Sequence, residues 1–424
     1  MADEFREQIL PTGQPSDGGV DLADAVPLAD EAGLAGPDAP SARPASPASP
    51  DTSPDPSAAA AEEWVSVASQ RQLIWARFRK HKLAMAGAVI VVLFYLVAIG
   101  ADFFSYAEPS ASDAGRSFVP PQRVHLLSGW RPSPHVNPVH GVRDPNTFQL
   151  HYEADPSVNI PVRLFARGYQ YKFLGVIPTD IHFIGTSGAP AEESLFLFGT
   201  DQLGRDIFSR LMIATRTSLF IGLAGVSLSL FLGVLLGGVS GYYGGLIDTV
   251  IQRLIEILRS IPTIPLWMGL AAAMPRDWGP ARVYFVITLI ISFIGWTELG
   301  RVVRGRFLQI RGEDFVTAAE LAGARPRRII FVHMMPLFAS HIIATTTLAL
   351  PLMIVAETSL SFLGLGLRPP AVSWGVMLQQ AQNVQAIALS PWMMLPVIPV
   401  VVAILAFNFF GDGLRDAADP YDVG

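Results

Sequence analysis

The 424-residue chain contains no cysteine, which excludes disulfides, thiol catalysis and cysteine-ligated zinc but leaves the redox compartment open. It has no Gly-x-x-x-x-Gly-Lys segment either. Without that phosphate-cradling loop, the chain is not expected to bind ATP itself. His125, His135, His140, His151 and His182 all fall between the first two apolar runs, but none is paired at the i, i+3 or i, i+4 spacing of a metal-binding helix. They read as scattered surface residues, and no metal site is expected. Charged residues make up only 16% of the chain, and no triad-like grouping assigns a catalytic residue. The first residues also lack the basic start and apolar core of a secretory signal.

What the chain has in abundance is apolar surface: half of its residues are hydrophobic and the mean hydropathy is +0.38. That balance points to an all-α polytopic membrane protein. Residues 1–63 stand apart, rich in Pro, Ala, Ser and Asp with few aromatic or β-branched residues. Such a segment cannot bury enough surface to offset its ordering entropy, so a disordered cytoplasmic tail is expected.

A helix needs about 20 mostly apolar residues to cross a bilayer, and six runs approach that length. They are Leu83–Phe104, Ser218–Tyr242, Ile251–Met274, Arg282–Trp296, Leu337–Glu357 and Trp392–Phe410. The third is interrupted by Pro262 and Pro265 and carries Glu256 and Arg259 in its first half. Its true span is therefore expected to begin nearer Ser260. Lys and Arg concentrate before the first run (Arg71, Arg77, Arg79, Lys80, Lys82) and between the fourth and fifth (Arg301 to Arg328), against only Arg276, Arg282 and Arg368 in the opposite short loops. By the positive-inside rule both termini are cytoplasmic.

The resulting order is a membrane-surface amphipathic helix over 64–82, a first span over 83–104, and a roughly 100-residue extracytoplasmic insert over 105–205. A core over 206–411 follows, with a cytoplasmic connecting loop at 298–336, and then a tail over 412–424. In the amphipathic segment, Leu73, Ile74, Trp75 and Phe78 lie among basic residues. A helix on the inner membrane surface and an ordinary charged flank both fit this pattern. Short apolar runs and turn signals in the insert, as in YQYKFLGVIPTDIHFIG, suggest β-rich structure.

Within the connecting loop, EDFVTAAELAGARPRRII obeys local helix rules. Asp314 is a good N-cap, Phe315–Ala322 a helix, Gly323 its stop and Pro326 the first residue of the next helix. Phe315, Ala318, Ala319 and Ala322 share one face as a narrow stripe of small residues with one aromatic. Spacing alone leaves two readings open, a self-packed connector and a docking helix. At the start of the core, Asp201, Gly204, Arg205 and Asp206 make a turn that feeds a helix beginning near Asp206. Polar residues inside the spans, chiefly Thr345, Thr346, Glu357, Ser359 and Asn408, are candidates for the path or for helix packing.

The segment TAAELAGARPRRIIFVHMMP resembles the coupling loop of bacterial ABC importer permeases, whose pattern is Glu-Ala-Ala, three residues, Gly, nine residues, Ile, one residue, Leu-Pro. Thr317, Ala318, Ala319, Gly323 and Pro336 fall at its spacing, with Thr317, His333 and Met335 replacing Glu, Ile and Leu. Four further stretches, RFRKHKLAMAGAVIVVL, FGTDQLGRDIFSRLMIATRTSL, ETSLSFLGLGLRPPAVSWGVML and LAFNFFGDGLRDAADP, are similar to signatures of the dipeptide and oligopeptide permease family, C-type subunit. The resemblance implies a type I importer permease of six transmembrane helices in a bacterial inner membrane. It further implies a heterodimer with a second, B-type permease, two cytoplasmic ATPase subunits that hold ATP and Mg, and an extracytoplasmic solute-binding protein. Phe315, Thr317, Ala318, Ala319, Ala322, Gly323 and Pro336 would couple the ATPases to alternating access of the spans. The cargo implied is a di- or oligopeptide, though relatives also import nickel, oligosaccharides or opine-like solutes. An ion-coupled carrier is a distant alternative, since no internal repeat is present. Nothing in the sequence points to nucleic acid.

Overall fold

The computed structural model describes residues 70–418 apart from 129–130, 144, 146–149, 187–194 and 276. The expected tail over 1–63, the first residues of the amphipathic segment and the chain beyond 418 lie outside the described residues. Helices α1 (Gln70–Lys80) and α2 (Lys82–Ile99) open the fold, and α2 is prolonged past Gly100 by one turn, Ala101–Phe104. Seven strands follow among the described residues, and then α3 (Ile207–Tyr243), α4 (Gly245–Ser260), α5 (Thr263–Ala272), α6 (Pro280–Ile310) and α7 (Asp314–Leu321). A continuous helical run from Pro326 leads into α8 (Ala339–Phe362), followed by the short α9 (Trp374–Gln380) and α10 (Val384–Leu389) and the closing α11 (Val397–Ala418).

Among the described residues, five helices are long and apolar enough to cross a bilayer: Lys82–Ile99, Ile207–Tyr243, Pro280–Ile310, Pro326–Phe362 and Pro391–Ala418. In hydrocarbon each backbone N–H and C=O must find its partner within the chain, so long apolar runs such as KLAMAGAVIVVLFYLVAI become helices. The third expected span, Ile251–Met274, is not a single helix. Pro262 and Pro265 break it into α4 and α5, bent by 84°, because a proline within a helix removes a backbone donor and clashes with the preceding turn. α5 alone is 10 residues, about 15 Å long and too short to span. The connecting loop expected from 298 opens inside α6, which runs on to Ile310.

α1 is seated on the protein's own last helix. Phe78 is buried among Ala84, Ala417, Phe410 and Leu414, with its ring edge-on to Phe410 at 5.8 Å, while Trp75 stays exposed. His81 separates α1 from α2, its ring nitrogen Nδ1 accepting from the Ala84 N–H at 3.1 Å.

The insert between the first two long helices carries β1 (His125–Ser128), β2 (Arg131–Val136), β3 (Val139–Arg143), β4 (Leu150–Ala154), β5 (Ile160–Pro161), β6 (Arg163–Phe173) and β7 (Ile177–Gly185). All pairings are antiparallel: a sheet ordered β1-β2-β5 and two hairpins, β3-β4 and β6-β7. Val136, Ile160, Val162 and Leu195 form its small core. The helical expectation therefore holds for the bundle, and the insert is built from strands. His182, buried in β7, ties the insert to the first span, its ring nitrogens 3.0 Å from the carbonyl oxygens of Asp102 and Tyr169.

α3 and α6 pack more closely than any helix with bulky side chains could. A Cβ built on Gly237 would collide with the carbonyl oxygen of Gly300, and one on Gly233 would lie 2.7 Å from Leu299 Cβ. Ser292 Oγ donates to the Gly225 carbonyl at 3.0 Å and Ser229 Oγ to the Ser292 carbonyl at 3.3 Å, crosslinks suited to a medium without water. Gly237→Ala is therefore expected to destabilise the bundle by about 1–3 kcal/mol, seen as a lower thermal midpoint in detergent. Gly305→Ala, where a Cβ meets nothing within 4 Å, is expected to leave the midpoint unchanged or raised. Equal effects of the two would argue against the seam.

Candidate functional site

Local rules explain most of α7. Its N-cap is Glu313, one residue earlier than the expected Asp314, and the Glu313 side chain makes no capping bond. Asp314 instead occupies the first turn, where a carboxylate opposes the helix dipole favourably. At the other end Gly323 adopts φ +77°. Its N–H donates to the Glu320 carbonyl at 2.9 Å, and the Ala324 N–H donates to the Ala319 carbonyl at 3.0 Å. This is the Schellman arrangement that a C-terminal glycine permits. Pro326 opens the next helical turn, as expected.

The face of α7 that holds it in place is one the sequence reading missed. Val316, 1% exposed, enters a cluster of Val303, Phe307, Ile329, Ile330, Met334 and Phe338, with Ala319 packed against it. Ala319 thus turns inward, away from the stripe to which it was assigned. On the same side Tyr242, at the end of α3, donates its hydroxyl hydrogen to Glu320 Oε1 at 2.9 Å. Phe315, Thr317, Ala318, Leu321, Ala322 and Gly323 remain exposed. Leu321 is 85% exposed, and its position three residues after Ala318 was the available signal. Pro336 lies in a 3-10 turn, Met335–Phe338, directly after a π-helical turn, Ile329–Met334, on which α7 packs.

The polar residues of the spans divide into separate groups. Glu357 is fully buried, accepting from Ser218 Oγ and Ser361 Oγ, each at 2.9 Å. Ser218 also accepts from the Trp374 N–H at 3.2 Å, so this carboxyl joins α3, α8 and α9. Thr345 and Ser359 instead line an open cavity of about 770 Å³ bounded by α4, α5, α6 and α8. Trp267, Leu348, Leu352 and Met353 supply its apolar wall. Arg259 and Glu298, an ion pair, are among its few charged groups. Thr345 Oγ1 satisfies itself on the His341 carbonyl at 2.9 Å. Thr346 Oγ1 is buried without a hydrogen-bond partner. Asn408 is half-buried on α11.

At the insert end, Asp201, Gly204, Arg205 and Asp206 come together as a buried knot. Asp201 Oδ1 accepts from the Leu203 and Arg205 N–H groups at 2.9 and 3.0 Å. Asp201 Oδ2 pairs with Arg205 Nη2 at 2.7 Å. Gly204 has φ +72°, and a Cβ there would strike the Asp113 carbonyl, so only glycine closes this turn. Asp206 caps α3, accepting from the Ser209 N–H at 2.7 Å and from Tyr106 Oη at 2.8 Å. Arg210 reaches Pro109 O and Gln380 Oε1. Arg210, which also lies 3.8 Å from Asp201, and Tyr106 were missed because their hydrogen-bond partners are about 100 or more residues away in the chain.

A bundle of long apolar helices carries a braced yet exposed helix, α7, at one end. The model for binding-protein-dependent transport system inner membrane components matches residues 230–421, and that for the N-terminal TM domain of oligopeptide transport permease C matches residues 69–121. The chain is 30% identical over 371 residues to the oligopeptide transport system permease protein OppC of Bacillus subtilis (strain 168), covering 86% of this chain and 96% of the relative. It therefore belongs to the oligopeptide and dipeptide permease family of ABC importers. The dipeptide transport system permease protein DppC of the same organism is 40% identical over 225 residues, covering 53% of this chain and 68% of the relative. A solved structure of the MetNI methionine ABC transporter aligns at 16% identity and a TM-score of 0.39, covering 50% of this chain and 96% of that one.

The knot at the insert end generates a pH signature. Burial raises the Asp206 carboxyl to about 6, opposed only in part by its bonds from Ser209 and Tyr106 and by Arg210. The folded state then holds this proton more tightly than the unfolded one, whose carboxyl titrates near 4, at about 3.9. Its contribution to stability is greatest below about pH 4, falls by up to roughly 3 kcal/mol as pH rises towards 6, and is level above that. The thermal midpoint of Asp206→Asn, relative to the natural protein, should rise between pH 4 and 6. A difference independent of pH would contradict the assignment.

Proposed function

We propose that the chain is the C-type membrane subunit of an ATP-driven importer of di- or oligopeptides and forms half of the translocation path. The observation that carries this reading is α7. Its inner face is locked by Val316 and by the Tyr242–Glu320 bond, while Phe315, Ala318, Leu321 and Ala322 are left uncovered. A connector that served only its own chain would have no reason to leave a leucine 85% exposed beside a phenylalanine. An apolar centre with charged neighbours, here Glu313, Arg325, Arg327 and Arg328, suits a protein contact.

In this reading the bent pair α4–α5 completes a sixth crossing, the insert is extracytoplasmic, and α7 and both termini lie in the cytoplasm of a bacterium. Two ATPase subunits holding ATP and Mg dock on α7 and on the equivalent helix of a B-type permease. ATP-driven closure of the ATPases moves α7, and through the hydrophobic cluster beneath it the inner ends of α3, α6 and α8. The cavity lined by Thr345 and Ser359 becomes part of a path alternately open to each side. A binding protein delivers the peptide from outside. Chemistry on this chain is not required, because the energy enters through contact.

The test is peptide-stimulated ATP hydrolysis and uptake by the complete complex in proteoliposomes. Leu321→Asp, which removes an exposed apolar contact, and Gly323→Val, which forces a β-branched residue into a left-handed conformation at a cost of about 1–3 kcal/mol, should both insert normally yet lose most of the stimulated hydrolysis. Uptake by the isolated chain without any ATPase would overturn the proposal. Natural coupling in both variants would remove α7 from the coupling role. Thr317→Glu, restoring the family residue at an exposed site, should leave coupling intact or strengthen it.

A further inference from the structure

The outward faces of α2 and of the insert hairpin β6–β7 form one apolar surface. Along α2, Val89, Val92, Leu93, Leu96 and Ile99 are all exposed and recur at the three- and four-residue spacing of a single helix face. The next position of that face is Phe103, on the turn beyond Gly100. There the hairpin meets it: the Phe103 ring is 6.1 Å from Phe165 and 5.9 Å from Phe183, and Phe104 is 5.5 Å from Phe183. The cluster is not a closed core, since Phe165 remains 64% exposed and Leu164 63%.

Two further features separate this patch from an ordinary strand surface. Consecutive strand residues normally face opposite sides, but Phe165 has φ +56°, a conformation rare for a bulky residue. The pleat is broken there, and Leu164 and Phe165 are exposed together. Arg163 and Arg167 flank the pair and are themselves exposed. Apolar side chains between two arginines match the boundary between acyl chains and anionic headgroups, where the aliphatic stems lie in the apolar layer and the guanidinium groups reach phosphate.

We infer that the β6–β7 hairpin is a lipid anchor: Phe165, Phe183 and Leu164, continuous with the lipid-facing stripe of α2 through Phe103, enter the interfacial layer of the leaflet beside the C-terminal end of α2. The insert is then held on the membrane as well as on the bundle. The arrangement requires no assignment of the two sides of the membrane and is independent of the transported solute.

Because the chain has no cysteine, a nitroxide can be attached at one chosen position of the otherwise natural protein. Single-cysteine variants Phe165→Cys and Leu164→Cys, with Leu96→Cys as the membrane reference and Glu153→Cys as the aqueous one, are labelled and reconstituted in vesicles of phosphatidylethanolamine and phosphatidylglycerol. Collision with oxygen and with a water-soluble nickel chelate is measured by power saturation. The expected result is an oxygen-to-nickel ratio at both hairpin positions shifted towards that of Leu96. A ratio like that of Glu153 would show the patch in water and overturn the proposal. Low accessibility to both reagents would overturn it equally, because protein would then cover the surface. The two labelled positions lie on the rim of the cluster, and retention of the natural far-UV circular dichroism and thermal midpoint confirms that each variant is folded.

Discussion

The close approach of α3 and α6 governs the arrangement of the rest of the molecule. Hydrophobicity cannot drive helices together in lipid, because the surroundings are as apolar as the side chains. Association there rests on packing and on hydrogen bonds. Gly233, Gly237 and Gly241 on one helix and Gly300 on the other bring the two backbones together, and Ser229 and Ser292 bond across the seam. The ends of these helices nearest α7 supply Phe307, Val303 and Tyr242 to the cluster that holds it. The middle of α6 contributes Ile291, Ile294 and Leu299 to the cavity wall. Through α6, the seat of α7 and the cavity wall therefore share one element.

The second fixed point is the knot around Asp201 at the other end of α3. Isolated charges would be costly to bury, and here each is matched: Asp201 by Arg205 and two backbone N–H groups, Asp206 by the first turn of α3 and by Tyr106. Removing one partner of such a buried pair costs about 3–5 kcal/mol, because the other is stranded. The knot joins the insert, the start of α3 and, through Arg210 and Gln380, the segment around α9. It is a structural anchor whose composition resembles that of a reactive site.

The sequence made visible whatever depends on local periodicity. Long apolar runs appeared as helices, Gly323 as a stop, Pro326 as a start and Asp206 as a cap. What it concealed depends on partners distant in the chain. The two prolines in the third run signalled an interruption, but the 84° bend between α4 and α5 required three dimensions. The stripe on α7 keeps Phe315, Ala318 and Ala322 exposed but loses Ala319, half-buried beside Val316 against Phe307, Ile330 and Met334, which no local spacing rule can place. Glu357 was recognisable as a costly residue in a span, but not as one enclosed by a hydroxyl of its own helix and one of α3. For the hairpin, short apolar runs and turn signals were readable, and the positive φ of Phe165 was not.

The run from Pro326 to Phe362 changes its winding on the way: a turn of α-helix, six residues of π-helix, four of 3-10 helix and then α8. Each residue of an α-helix advances the azimuth by about 100°, whereas the wider and tighter turns advance it by less and by more. The phase between α7 and the cavity-lining side of α8, where Thr345 and Ser359 sit, is thus set by the ten residues Ile329–Phe338 rather than by either helix. A different winding within that stretch would therefore set Thr345 and Ser359 at a different angle relative to α7, and the tie between Glu357 and Ser218 on α3 limits how far α8 can follow.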